Sequence, residues 1–279
     1  MRELQLPRCA IRSYSNGTGD PLVFVHGVLT NANVWRKVIE RVSPDFRCVA
    51  LDLPLGAHLT PAPGADRTPP GVAEMIVQAL DALELDRVTL VGNDTGGALC
   101  QMVAARHPDR LERLVLTSCE YRENCPPLVF RPMGPAARIP GGLLAYLLPG
   151  QLRPFQRLPV AYGWLAKRPI EPDVALTYVR PAIASGEIRA DFAAFLRDYG
   201  PRHTIDAAER LGGFDRPALI AWSREDRLMP PSHGEELASA LPNARLEWVE
   251  DSYTLSPEDR PDRVAEQIAA FAREIATVA

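Results

Sequence analysis

No stretch of this chain reaches the roughly 18 consecutive apolar residues that a membrane-spanning helix needs. Hydrophobic residues nevertheless make up 46% of its 279 positions. Arg2, Glu3, Pro7 and Arg8 interrupt the first ten residues, so no signal-peptide core forms there. Cysteine is scarce: Cys9, Cys48, Cys100, Cys119 and Cys125 are odd in number and lack CxxC spacing. That argues against a disulfide framework and for buried thiols in a reducing cytoplasm, the expected location. A dominant charge sign is missing too, with 31 Lys+Arg against 35 Asp+Glu and a net charge of −4. Without a Lys/Arg tract, neither nucleic acid nor a membrane is expected as a partner, and a small-molecule substrate is. No metal-ligand spacing and no Gly-rich dinucleotide fingerprint occurs, so no cofactor and no metal is expected. Oligomeric state is left open, a homodimer included.

What is present is an α/β rhythm. Leu22–Val25, Arg47–Leu53, Arg87–Val91 and Leu111–Thr117 are Val/Leu-rich runs without polar alternation. Such runs are buried on both faces, as in a parallel sheet. Helical spacing separates them over 33–42, 71–85 and 96–107. The rhythm resumes with strands Ala218–Trp222 and Arg245–Val249 and helices over 232–241 and 263–276. Between them, prolines and glycines punctuate short helical pieces at 142–148, 155–167, 172–181 and 190–199. The pattern predicts a doubly wound α/β core over 1–118 and 206–279, carrying a helical cap over 119–205.

The chemistry-bearing segment is Val88-Thr89-Leu90-Val91-Gly92-Asn93-Asp94-Thr95-Gly96-Gly97. A strand enters Gly-x-Asp-x-Gly and a helix leaves it, the spacing of a nucleophile elbow with Asp in the central place. The tight turn needs small residues two positions either side of Asp94. It lifts the Asp94 side chain toward the helix N-terminus, where the Thr95 N–H stabilises an anion. A helix-capping Asp in a Gly-rich turn would look the same from the sequence. His26-Gly27 follows an early strand; a packed loop role suits the imidazole, with the Val28 N–H as a second oxyanion donor.

With these residues go Trp35, Asp52-Leu53-Pro54, Arg106 to Arg110 and Trp222-Ser223-Arg224-Glu225-Asp226. Together they resemble the epoxide hydrolase and haloalkane dehalogenase branch of the α/β-hydrolases, over most of 20–118 and 206–276. The resemblance implies an eight-stranded, mostly parallel sheet with the site between sheet and cap. It also implies Asp94 as nucleophile, Asp226 as the acid orienting a catalytic His, and Glu120 at the alternative acid position of some dehalogenases. Cap tyrosines, here among Tyr146, Tyr162, Tyr178 and Tyr199, would give a proton to an epoxide oxygen. Thr95 and Val28 stand where dehalogenases often carry the Trp and Asn that hold a halide.

Position 254 departs most. The segment Glu250-Asp251-Ser252-Tyr253-Thr254-Leu255-Ser256-Pro257-Glu258 carries Thr254 where the resemblance places the catalytic His, and no His follows His233. Asp94 needs no base to be ionised, since an ordinary Asp has a pKa of about 3.9. Hydrolysis of an alkyl-enzyme ester does need an activated water, and losing a general base slows such a step ~10²–10⁴-fold. Three routes stay open: a base from His58, His203 or His233; Asp94 acting itself as general acid or base; or a pocket that binds ligand without turnover. The leading expectation is hydrolysis of a small, largely apolar substrate, with epoxide opening first.

Overall fold

Short apolar runs assemble into one sheet of eight strands in the computed structural model, which describes residues 2–274. The strands are β1 (Arg2–Gln5), β2 (Ala10–Asn16), β3 (Pro21–Val25), β4 (Arg47–Asp52), β5 (Val88–Asp94), β6 (Leu111–Cys119), β7 (Ala218–Ser223) and β8 (Ala244–Val249). Their spatial order is β1-β2-β4-β3-β5-β6-β7-β8. Only β2 runs against the others, pairing antiparallel with both β1 and β4. The central strands are buried along nearly their whole length, as unalternating Val/Leu runs require.

Sequence patterning located six of the eight strands and missed β1 and β2. β1 has only four residues, both are largely polar, and their burial alternates or nearly vanishes. An antiparallel edge with one wet face carries little hydrophobic signal.

The core helices are α1 (Arg36–Val42), α2 (Pro69–Ala82) and α3 (Thr95–Arg106). Between β6 and β7 the α-helices are α4 (Met133–Ala136), α5 (Gly142–Leu147), α6 (Arg153–Gln156), α7 (Pro172–Ala184), α8 (Gly186–Asp198) and α9 (Pro201–Arg210). α10 (Pro231–Ala240), α11 (Ser256–Asp259) and α12 (Pro261–Arg273) complete the chain; the last residues of the expected 263–276 helix fall outside the described residues. No helix among the described residues is long and apolar enough to cross a membrane.

The expected helix at 155–167 does not form. After α6 the chain turns back on itself, with the Tyr162 N–H on the Gln156 carbonyl and the Gly163 N–H on the Leu158 carbonyl. Pro159 lacks the N–H that helix continuation needs. α9 had no counterpart in the reading of the sequence, and it runs across 205–206, where that reading ends the cap.

The segment between β6 and β7 is fastened to the sheet layer at defined points. Asp259 accepts the backbone N–H groups of Lys167, Arg168 and Tyr253 at 2.8, 2.8 and 3.0 Å. The Leu255 N–H reaches the Leu165 carbonyl at 2.7 Å. Asn31, after β3, donates to the Thr177 carbonyl on α7 at 3.2 Å.

Candidate active site

The strand-to-helix turn at the C-terminal end of β5 sets Asp94 at φ 55°, ψ −132°. That is a conformation a side-chain-bearing residue holds only when its surroundings enforce it. The surroundings are backbone. A Cβ on Gly92 would come within 2.7 Å of the Gly96 carbonyl and of Gly97 Cα, and one on Gly96 would strike the carbonyls of Val25 and His26. The Asp94 carboxylate accepts the Thr95 N–H and packs against Gly27, whose missing side chain leaves its space.

His26 is fully buried and neutral. Its Nδ1–H donates to the Gly27 carbonyl at 2.8 Å, and its Nε2 accepts the Leu53 N–H at 3.0 Å. Burial lowers its pKa to about 4, against the opposite pull of the Gly27 bond. It therefore ties the ends of β3 and β4 together. Val28 and Leu29 line the cavity beside Asp94, with Leu29 at a positive φ of 49° and its carbonyl taking the Tyr162 hydroxyl at 2.8 Å.

A cavity of about 60 Å³ rises from Asp94 and Thr95 toward the segment between β6 and β7. Its walls are mostly apolar, including Phe130, Met133, Leu147 and Phe155, with Glu120, Tyr146, Tyr162 and Tyr199 as polar members. Tyr199 lies at the end of α8. Its hydroxyl donates to Glu120 Oε1 and sits 3.0 Å from Thr95 Oγ1. The Cys125 thiol bonds Glu120 Oε2 at 3.6 Å. The Tyr146 hydroxyl is buried and has no hydrogen-bond partner among the described residues. Buried hydroxyls are normally paired, so this donor is available to a ligand.

On the other flank, Asp226 follows β7 and Thr254 follows β8. Asp226 Oδ1 accepts the Thr254 hydroxyl at 2.8 Å and the Leu228 and Met229 N–H groups at 2.9 and 2.8 Å. Burial also encloses its Oδ2, beside the Ser118 side chain. The Thr254 carbonyl takes Asn93 Nδ2 at 2.7 Å, one residue from Asp94.

Asp94 and Glu120 thus line one water-poor cavity, and Asp226 is buried near enough for its charge to act on Asp94. Burial pushes Asp94 up to about 7 despite the Thr95 N–H, and the charge of Asp226 adds to the rise. Burial also raises Glu120 well above the carboxylate range, reinforced by the charge of Asp94. Asp226 rises to about 6 for the same first reason, restrained by the Met229 and Leu228 N–H bonds. Desolvation disfavours charge, and two like groups cannot both ionise cheaply.

The histidines considered as replacement bases have their partners elsewhere. His58 meets Asp191 at 3.4 Å, His203 meets Asp198 at 2.8 Å, and His233 stands edge-on to the Tyr121 ring. Tyr178, another of the cap tyrosines, donates to Glu258 at 3.1 Å. What sequence reasoning missed is the pairing of Tyr199 with Glu120. The two stand 79 positions apart, and only the path of the chain between β6 and β7 brings them together.

A family model described as α/β hydrolase fold matches residues 20–261. The chain belongs to the α/β-hydrolase fold family. It is similar to the Bacillus subtilis protein called uncharacterized hydrolase YugF, with 27% identity over 271 residues and 92% of each chain covered. A poly(3-hydroxyalkanoate) depolymerase of Ectopseudomonas oleovorans is 27% identical over 261 residues, covering 91% of this chain and 84% of the depolymerase. Among solved structures, a putative ancestral haloalkane dehalogenase superposes with a TM-score of 0.79 at 22% identity, over 97% of both chains. The eight-stranded sheet implied by the resemblance is therefore the one found.

Proposed function

We propose that this α/β-hydrolase hydrolyses a small, largely apolar electrophile, an epoxide in the first instance, and that Asp94 is the group that acts on it. The observation that carries this reading is the placement of Asp94. It sits on a strained turn at the floor of an apolar cavity, with a pKa near neutrality and no imidazole bonded to it among the described residues. A catalytic base is most effective when its pKa lies near the working pH. The hydrolase names of the relatives support the reaction type.

In the route that fits this site best, Asp94 takes a proton from water as the water oxygen attacks an epoxide carbon. The ring C–O bond breaks, and its electron pair stays on the former ring oxygen. That oxygen receives a hydrogen bond from Tyr146 and a proton from Tyr199. The Tyr199 proton is replaced from Glu120, whose pKa burial raises well above the usual carboxylate value, and the proton on Asp94 then passes to Glu120. Epoxide and water become a diol, and no proton is left over. The second route has an Asp94 oxygen attack carbon and form an ester. Its hydrolysis must then proceed without a histidine base, because Thr254 holds that place.

A single turnover in ¹⁸O-water with enzyme in excess separates the routes. Water attack puts ¹⁸O into the diol at once. The ester route first delivers an unlabelled oxygen from Asp94 and leaves label in the peptide containing it. If no epoxide in a panel is turned over, and wild type and Asp94→Asn bind the same ligands equally, the hydrolase reading is wrong. The chain is then a ligand-binding member of its family.

A further inference from the structure

The apolar side chains that this molecule leaves in water are not scattered. Of the seven large hydrophobic side chains that are exposed among the described residues, six lie between 128 and 160: Leu128, Ile139, Leu148, Leu152, Leu158 and Val160. Leu128, Leu152 and Ile139 are 72%, 63% and 61% exposed. Single exposed apolar residues are ordinary, but a concentration of them marks a contact surface.

The same stretch has an unusual charge pattern. Residues 124–170 hold six Lys/Arg and no Asp or Glu, in a chain whose net charge is −4. Lys167 and Arg168 pair with Glu225 and Asp251 from outside the stretch. Arg131, Arg138, Arg153 and Arg157 are exposed. Two of them bond backbone carbonyls, those of Arg197 and Lys167, and none of the four stands in an ion pair among the described residues. Leu128, Leu148 and Arg153 lie on short helical turns and the others in the connections between them, and Phe130, Met133, Leu147, Phe155 and Val160 from the same stretch wall the Asp94 cavity. The exposed leucines and arginines therefore surround one end of that cavity.

We propose that this part of the cap docks on an anionic lipid surface. The leucines enter the acyl boundary, the four arginines meet the headgroups, and an apolar substrate passes from the lipid into the cavity. An apolar face rimmed by unpaired cations is the composition that binds such interfaces. A second copy of the chain fits less well, because a self-complementary interface would set arginines against arginines with no acid in the stretch to answer them. The net charge of −4 for the whole chain hides this face, since acids elsewhere outweigh its arginines. The proposal does not depend on which reaction Asp94 performs.

The test is flotation of the full-length protein with vesicles of phosphatidylcholine alone and of phosphatidylcholine mixed with phosphatidylglycerol. Wild type should float with the mixed vesicles at low ionic strength, much less with the neutral ones, and be released by salt. Each arginine changed to Gln at 131, 138, 153 and 157 should lower the partition coefficient about five-fold. Leu152→Ser should weaken binding several-fold while leaving the salt dependence unchanged. Circular dichroism and thermal melts of the variants serve as folding controls, all the substituted side chains being exposed. Failure of wild type to float with mixed vesicles overturns the proposal. So does equal binding by the four-arginine variant, or a wild-type dimer in light scattering that Leu152→Ser dissolves.

Discussion

Buried carboxyls stand in two places beside the segment between β6 and β7, Asp191 in one and Asp94, Glu120 and Asp226 in the other, and the fold treats them oppositely. Asp191, on α8, receives Arg67 at 2.6 Å, the Ala62 N–H at 2.7 Å and His58 at 3.4 Å. Burial alone would raise its pKa, but His58, the Ala62 N–H and Arg67 together outweigh burial and hold it below the usual value. Asp94, Glu120 and Asp226 are more fully desolvated than Asp191 and have no cation among the partners found for them, so their pKa values go up. The same side chain is a rivet in one place and a proton store in the other. The difference is whether the fold supplies a compensating charge, together with how completely each carboxyl is cut off from water. A fold that only needed to bury these groups would pair them; unpaired, they point to chemistry.

The largest effect that sharpens this contrast is on turnover. Asp94→Asn keeps the shape and removes the proton acceptor, so hydrolysis of a responsive epoxide should fall about 10²–10⁴-fold. Asp191→Asn should leave kcat within a few-fold and act on stability instead. Equal losses of kcat in the two variants would break the distinction between rivet and proton store.

Stability against pH gives the next effect, and its sign differs between the clusters. Asp94 has its folded pKa raised to about 7. The folded state therefore holds that proton more tightly than the unfolded chain does. Stability is greatest below about pH 4, falls as pH rises toward 7, and is flat above. Asp94→Asn removes that loss. It should raise stability at pH 8 by on the order of 2–4 kcal/mol and by less at pH 5, given ~1.4 kcal/mol per pKa unit. Asp191 behaves in the reverse sense: its contribution is present above the ordinary Asp value and disappears as pH falls through its lowered folded pKa. Denaturant melts of both variants across pH decide this; a stabilising Asp191→Asn at pH 8 would contradict it.

How much of this was legible in the sequence depends on how far apart the interacting residues lie. The elbow was legible because Gly92, Asp94 and Gly96 stand within five positions, and the steric demand that selects them is local. Thr254 and Asp226 were legible through the resemblance, and the structure joins them at 2.8 Å. The Glu120–Tyr199 bond and the Asp191–His58 contact were not, since they span 79 and 133 positions and depend on how the cap folds back. β1 and β2 escaped notice because an edge strand with one wet face lacks a continuous apolar run. The segment 155–167 was misread because helical spacing outvoted Pro159.

Supplying a base to the unpaired cluster should have a smaller effect. In Thr254→His the imidazole would arrive where Asp226 Oδ1 already accepts a hydroxyl, so an orienting acid is in place. If a reactive epoxide alkylates Asp94, mass spectrometry of the peptide containing it should show the adduct persisting in wild type. The adduct should decay about tenfold faster in the variant, as water attack regains a base. An adduct equally long-lived in both proteins would mean that position 254 does not address the ester.

The smallest effect tests the paired cluster by removing one partner. Arg67→Met leaves Asp191 with His58 and the Ala62 N–H but takes away the cation at 2.6 Å. Arg67 is partly exposed, so water replaces some of what is lost, and the expected destabilisation is about 1 kcal/mol, nearer an exposed pair than a fully buried one. For a domain of this size that is a fall in Tm of roughly 2–4 °C. The loss concerns the charged form of Asp191. It should be full at pH 7 and shrink as pH drops far enough to protonate Asp191 in both folded and unfolded chains. Turnover should be unchanged, because Asp191 does not line the Asp94 cavity. A Tm deficit that is the same at low and neutral pH would show that Arg67 acts through its packing and not its charge. Asp191 would then no longer be the charge-compensated counterpart of Asp94.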